Sequence, residues 1–303
     1  MSKIVVVGSI SMDLVMRTKR IPEGGETIFG DSFNIVPGGK GANQAVAIGR
    51  LSSVEDNIYI FGNVGEDIFS SDLLTNLQDN NISVEHVGTV PQSTGVAQIT
   101  LYGGDNRIIY YPGANNLVKT NDWKNEWKLL SDASIVVLQN EIPHEANLSI
   151  AKFCQENQVK VLYNPAPARE TDKEMIPFCD FITPNEHECS EFFPDKKLDE
   201  IIKIYPNKMI VTLGVEGSIY YDGTAVKKIP AIKAEVVDTT GAGDTFNGAF
   251  AYAISKGKEM NVALSFATIA SHLSVQRFGA QGGMPSLKEI KEHSGYEEIW
   301  DFK

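Results

Sequence analysis

Asp238-Thr239-Thr240-Gly241-Ala242-Gly243-Asp244-Thr245-Phe246-Asn247-Gly248 is the stretch on which the reading of this chain turns. It follows Ala234-Glu235-Val236-Val237, of extended composition, and precedes Ala249-Phe250-Ala251-Tyr252-Ala253-Ile254, of helical composition. The order predicts a tight turn that joins a strand end to a helix start. Gly241 and Gly243 accept backbone angles that a side chain forbids, and they let a ligand approach the main chain. The first N–H groups of a helix have no internal partner and carry partial positive charge, so the corner is a candidate anion site. Asp244 sets it apart from an ordinary glycine turn. A carboxylate among phosphate-holding donors would repel the phosphate, so it needs another role. Accepting a proton from an attacking hydroxyl is one; capping the helix, supported by Thr245, is the other. Both stay open on these residues alone.

Outward from this stretch, the chain alternates short apolar runs with helical segments. Lys3 to Val7 is continuously apolar after its first residue, as in a central parallel strand buried on both faces. Similar runs lie at Asn57–Phe61, Ser134–Leu138, Val159–Tyr163 and Met209–Leu213, with Ser218–Tyr221 after the last. Asp67 is a candidate cap for a helix running to Gln78, and Pro143–Gln155 reads as a helix with proline in its first turn. The order predicts a mostly parallel sheet with helices on both faces. Two segments break the rhythm. Glu26–Gly30 with Ser32–Val36, and Thr94–Leu101 with Arg107–Tyr111 across a Gly103-Gly104-Asp105 turn, read as antiparallel hairpins. They predict a small second layer, either a lid over a cleft or a surface for a partner. Asp13, Glu141, Asn185, Thr212 and Asp244 fall at the carboxyl ends of the predicted strands, which points to one shared crevice.

With 303 residues, 42% of them hydrophobic, the chain is long enough for a sizeable core. A net charge of −12 and an isoelectric point near 4.9 make nucleic acid and anionic membrane surfaces poor partners. No apolar run reaches membrane-spanning length, and Ile4-Val5-Val6-Val7 is too short for a secretory signal core. Cys154, Cys179 and Cys189 are odd in number and widely spaced, which argues against a disulfide framework and for a reducing, cytoplasmic setting. His187 and Cys189 have no companions that would make a zinc site.

Pro37-Gly38-Gly39-Lys40-Gly41-Ala42-Asn43-Gln44-Ala45 introduces an Ala-rich helix. Its spacing is not that of a P-loop, and no GxGxxG links a strand to a helix, which weakens a dehydrogenase reading. Gly38–Leu51 and Asp238–Phe250 together resemble the two signature segments of the ribokinase-like (PfkB) carbohydrate kinases. Gly8-Ser9 with Asp13, Ser93-Thr94-Gly95-Val96, Tyr111-Pro112-Gly113-Ala114-Asn115, Asn164-Pro165-Ala166-Pro167-Ala168 and Pro184-Asn185-Glu186 resemble the ribokinase branch of that family, in the right order along almost the whole chain.

The resemblance implies a three-layer α/β/α fold over residues 1–303. A small β lid would be drawn from about residues 14–36 and 93–112, and would pair two copies into a homodimer. It implies an ATP-dependent kinase acting on the primary hydroxyl of a furanose sugar, ribose first. Ser11, Asp13, Gly38, Gly39, Lys40, Asn43 and Glu141 fall on sugar-site positions. Asn185, Thr212, Gly214, Gly217, Gly243 and Thr268 fall on ATP-site positions. Gly241, Ala242 and Gly243 would form the anion hole, with Asp244 as the catalytic base. Asn185 and Glu188 match a motif that organises Mg²⁺ through water. Asp238, Thr240, Ser274, Arg277, Gly279 and Gly283 match a K⁺ loop.

Two positions depart from the family pattern. Ser11 stands where asparagine usually reaches the sugar. Gly283 stands where serine commonly helps bind the cation, so Gly283→Ser is expected to lower the potassium requirement. A ketose such as fructose, or a nucleoside, remains an alternative substrate. A catalytically idle sensor of sugar or nucleotide is the alternative of another class, which the intact Asp244 and its glycines oppose.

Overall fold

Ile4 and Val6 point to one side of the central sheet and Val5 and Val7 to the other, and all four are wholly buried. Such a strand has no solvent face, which is why the sequence shows a run and not an alternation. The computed structural model describes residues 2–103, 105–120, 123 and 126–302. Its strands are β1 (Lys3–Val7), β2 (Ser11–Arg17), β3 (Ser32–Gly38), β4 (Asn57–Gly65), β5 (Ile82–Val90), β6 (Gly95–Tyr102), β7 (Asp105–Tyr111), β8 (Ile135–Gln139), β9 (Lys160–Asn164), β10 (Phe181–Ile182), β11 (Ile210–Thr212), β12 (Ser218–Tyr221) and β13 (Val226–Ile229). The helices are α1 (Lys40–Leu51), α2 (Ser70–Asp79), α3 (Trp127–Ser131), α4 (His144–Glu156), α5 (Glu186–Phe192), α6 (Leu198–Ile204), α7 (Ala242–Ser255), α8 (Met260–Ser274) and α9 (Leu287–Glu292).

The main sheet runs β10-β9-β8-β1-β4-β5, every pair parallel. Isolated parallel bridges Ile182–Met209 and Asn185–Thr212 carry it on to an antiparallel unit, β11-β12-β13. One apolar cluster fills the side covered by α1, α7 and α8, and a second fills the side covered by α4. The expected α/β architecture is therefore present. A separate four-stranded sheet, β3-β2-β6-β7, stands apart from it with β2 and β6 parallel. Its own buried core is small, consisting of Val15, Ala97 and Ile99.

Four local expectations need correction. Glu26–Gly30 is not a strand; β3 pairs with Ser11–Arg17, which leaves β1 after only three residues. Asp13 therefore sits within β2 and not at the carboxyl end of the first strand. Ala234–Val237 is not a strand either: Val236 and Val237 are more than half exposed, and the Val237 N–H donates to the Val275 carbonyl beyond α8. Asp67 lies before α2 and does not cap it. Its carboxylate accepts from Phe69 N–H (3.1 Å) and Thr94 N–H (2.6 Å), tying the helix entrance to the start of β6. Of the expected Gly103–Asp105 turn, Gly104 lies outside the described residues. All three cysteines are free and buried, and no helix among the described residues is long and apolar enough to cross a membrane.

Candidate active site

The turn before α7 places Gly241 at its N-cap in the left-handed region (φ 77°), with no side-chain cap. The Asp244 carboxylate does not turn back to the helix. It accepts from Asn43 Nδ2 (2.9 Å) and Gln44 Nε2 (3.0 Å), both on α1. The capping alternative fails on this geometry. Each amide is itself fixed. Asn43 Oδ1 accepts from Gln281 Nε2 (3.0 Å), and Gln44 Oε1 accepts from Gln139 Nε2 (2.8 Å). Asp244 is 6% exposed and faces a cavity of about 770 Å³. Of the amides expected to form the anion hole, that of Ala242 donates to Thr239 O (3.2 Å). The Gly243 and Asp244 N–H groups find no partner among the described residues and remain available to an anion.

Asp13 approaches the same corner from β2. It is 7% exposed, yet its carboxyl receives no hydrogen bond among the described residues. Burial above all, then the charges of Glu141 and Asp244, push it up to about 7, against the pull of the Lys40 ammonium. The carboxyl lies directly over Gly38, where a side-chain carbon would come within 2.2 Å of Asp13 Oδ1. A side chain at position 38 would push the Asp13 carboxyl from this place. Glu141 accepts from Ser9 Oγ (2.6 Å) and from the Lys40 backbone N–H (2.9 Å) at the start of α1. The Lys40 side chain is half-buried and forms no ion pair within 4 Å among the described residues. Burial lowers its basicity, but Asp244, Glu141, Glu188 and Asp13 together outweigh that and raise it. Gly39 makes the bend into α1 at φ 87°. Ser11 is fully buried, with its hydroxyl against Asn115 and Tyr110, and is not open to the cavity.

The far end of the cavity is lined by Thr212, Gly214, Gly217, Thr268, His272 and Val236. Thr268 Oγ1 donates back to Leu264 O (2.8 Å), so it offers the cavity only its methyl group and lone pairs. Asn185 and Glu188 form a capping box on α5: Asn185 Oδ1 accepts from Glu188 N–H and Glu188 Oε2 accepts from Asn185 N–H, both at 2.8 Å. Glu188 keeps one carboxylate oxygen for the cavity, and burial raises its pKa above the ordinary range. No group of three or more His, Cys, Asp or Glu among the described residues could cage a metal. The donors present suit hydrated Mg²⁺ held mainly by phosphate oxygens.

The six cation-loop residues do not all meet as expected. Asp238 spends one oxygen on Thr240 N–H and the other on Gly279 N–H, both at 2.9 Å. Ser274 Oγ donates to Ser271 O (2.8 Å), and the Arg277 guanidinium leaves the loop to pair with Glu289 (2.6 Å). Main-chain carbonyls, expected to supply most of the cation ligands, are joined by the remaining lone pairs of the Asp238 carboxylate and of Ser274 Oγ. A side-chain carbon at Gly283 would lie 2.0 Å from Ser274 O. The expectation that Gly283→Ser adds a ligand holds only if the loop accepts a side chain, and here one would press on that carbonyl.

Gln44, Gln139, Asn164 and Gln281, which hold Asp244 or its holders, were not anticipated from sequence. The signal was there in part: Gln44 is a wholly buried polar residue on an otherwise small and apolar helix face. Its direction is set by α7, two hundred residues away.

Residues 1–287 match the family described as pfkB family carbohydrate kinase. Ribokinase of Lactococcus lactis subsp. lactis is 60% identical over 291 residues, 96% of each chain. Ribokinase of Bacillus subtilis is 42% identical, over 96% of this chain and 99% of that one. A structure of Arabidopsis thaliana ribokinase complexed with ribose and ATP superposes with a TM-score of 0.85 at 32% identity, covering all of both chains.

Proposed function

The chain belongs to the pfkB family of carbohydrate kinases, and from that premise we propose that it is an ATP-dependent ribose kinase forming ribose 5-phosphate. The observation that carries the reading is the pair of carboxylates around Lys40. Asp244 is held rigidly at the cavity wall, while Asp13 is buried with no donor of its own. A sugar supplies what Asp13 lacks, because two of its hydroxyls can donate to one carboxylate. Glu141 and Lys40 complete that end, and ATP occupies the larger end between Thr212, Gly214 and His272.

Asp244 accepts the proton of the primary hydroxyl as the new O–P bond forms, and the Gly243 and Asp244 amides hold the transferring phosphoryl group. Asn43 and Gln44 keep the carboxylate aimed throughout. When bound, Mg²⁺ offsets charge on the phosphates, with Asn185 and Glu188 reaching its water shell. A potassium ion among the carbonyls beside Asp238 and Gly279 would order the turn that carries Gly241. The four-stranded sheet closes over the sugar and excludes water. It also pairs with its counterpart in a second copy, since Phe33, Ile35, Ile109 and Tyr111 share one face by register and are each at least half exposed. Ile99, on the opposite face, is buried within the sheet's own core.

ADP release measured with ribose, 2-deoxyribose, fructose and adenosine tests the reading. Ribose is expected to give the highest kcat/KM. ADP release independent of any sugar, or a preference for adenosine, would overturn it.

A further inference from the structure

The structure assigns a sugar-reading role to Tyr110: we propose that its hydroxyl, carried on β7, donates a hydrogen bond to a ribose hydroxyl in place of the side chain that Ser11 is too short to supply. The proposal rests on the ribose-kinase reading and concerns the same pocket.

Sheet register puts Tyr110 opposite Ala97, and Ala97 opposite Asp13, so all three side chains stand on one face. Ser11, two residues before Asp13 in β2, shares that face and pairs with Gly95. Between β7 and β2 the intervening strand thus offers only Gly95 and Ala97. The tyrosine ring crosses above them, and its hydroxyl arrives 3.4 Å from Ser11 Oγ. Gly95 keeps this route open, since a side-chain carbon there would fall 2.6 Å from Ser11 Oγ and 2.3 Å from Asn115 Nδ2.

Asn115 decides the direction of the hydroxyl proton. Its Nδ2 can only donate, and it lies 3.1 Å from the Tyr110 oxygen. Asn115 Nδ2 has two protons for three oxygens in reach, Ile10 O (3.1 Å), Ser11 Oγ (3.0 Å) and Tyr110 Oη, so they share them; because the amide can only donate, the Tyr110 proton does not point at it. Ser11 Oγ, the other neighbour of that hydroxyl, lies at 3.4 Å, a long contact that a sugar hydroxyl can displace. Burial, and then the charge of Glu141, hold the phenol well above its ordinary range, with Asp13 adding in the same direction, so it stays a donor. Asp13 and Glu141, whose charges reach it, accept. A sugar hydroxyl that donates to a carboxylate still has lone pairs to satisfy, and Tyr110 faces them. Because β7 belongs to the outlying sheet, the bond would also link sugar occupancy to the position of that sheet.

The test is Tyr110→Phe, which removes the hydroxyl and keeps the ring. The KM for ribose should rise about three- to tenfold, the scale of one neutral hydrogen bond, with the KM for ATP unchanged and the melting temperature lowered only slightly, since Asn115 keeps Ile10 O and Ser11 Oγ as acceptors. Ribose with the 1-, 2- or 3-hydroxyl deleted should locate the bond, because the Tyr110→Phe penalty disappears for the sugar that lacks its partner. An unchanged ribose KM, equal losses toward ribose and ATP, or the same penalty on all three deoxy sugars would overturn the assignment. Failure of the unmodified enzyme to phosphorylate ribose would instead overturn the functional reading itself.

Discussion

Asp244 and Asp13 are carboxylates of one site, both buried, and they are held in opposite ways. Asp244 stands where α7 meets α1, in the main core, and two side-chain amides satisfy it. Asp13 stands on a sheet with three buried core residues, and none of the described residues donates to its carboxyl. The first arrangement fixes a group whose position matters for chemistry. The second leaves an acceptor waiting for a ligand at a cost in stability, because burying an unpaired carboxylate is unfavourable. On the proposed mechanism the comparison separates turnover, assigned to the rigid layer, from recognition, assigned to the thin one.

The largest effect should come from the rigid side. Asp244→Asn keeps the volume but loses the proton acceptor and one of the two amide bonds that aim it, and should lower kcat about a hundredfold or more while ATP still binds. Turnover like that of the unmodified enzyme would remove the distinction between the two carboxylates.

Asp13→Asn should raise the KM for ribose on the order of thirtyfold, the scale of losing charge-assisted bonds to two hydroxyls, and leave that for ATP nearly unchanged. Stability should move the other way. The folded pKa of Asp13, about 7, exceeds its ordinary value of 3.8. Between these limits the folded state holds the proton that the unfolded state has lost, so raising pH through that window destabilises the protein. Asp13→Asn removes this loss. Its melting temperature should exceed that of the unmodified enzyme at pH 8, with the difference closing toward pH 4. A lower melting temperature at pH 8 would show that Asp13 is satisfied after all. For the same reason kcat/KM for ribose should rise as pH increases through about 7.

Behind the rigid corner, Gly283→Ala tests how far that rigidity extends. Its new carbon would press on Ser274 O, beside the loop that Asp238 fastens through Gly279. Half-maximal activity should require severalfold more potassium, with the ribose KM little changed. Equal activity in potassium and in a bulky organic cation would remove the cation from the proposal.

The same contrast explains what could be read from sequence. β1 and its parallel neighbours were legible because strands buried on both faces must be apolar throughout, and the turn at Gly241–Asp244 because its residue types are chemically restrictive. The outlying sheet was misread at Glu26–Gly30 because its true partner, β2, follows β1 with almost no connecting loop. Half-exposed strands also carry a weak pattern. Gln44 and Tyr110 escaped notice because their roles depend on what lies across the fold from them: α7 for one, and the small residues Gly95 and Ala97 for the other. Gly283 was read as a missing ligand, whereas the structure makes it a position with no room for one.

The smallest effect on chemistry should come from the outer face of the thin sheet. Its two edge strands, β3 and β7, carry Phe33, Ile35, Ile109 and Tyr111, and Ile109 is 71% exposed. Exposed edges with apolar side chains invite association unless another surface covers them. A second copy presenting the same face would cover both edges, which a sheet with so small a core of its own cannot do internally. Ile109→Lys places a charge on that face without touching the site, since Ile109 and Tyr110 point to opposite sides of β7. The unmodified enzyme should sediment as a dimer at micromolar concentration and the variant as a monomer. The melting temperature of the isolated variant subunit should be set by the main sheet, and its kcat should stay within a few fold, because Asp244 and its amide holders lie in the other layer. If the unmodified enzyme is a fully active monomer under these conditions, that face needs no second copy, and its attachment to the main core through Met12 and Leu14, which share it by register, is cover enough.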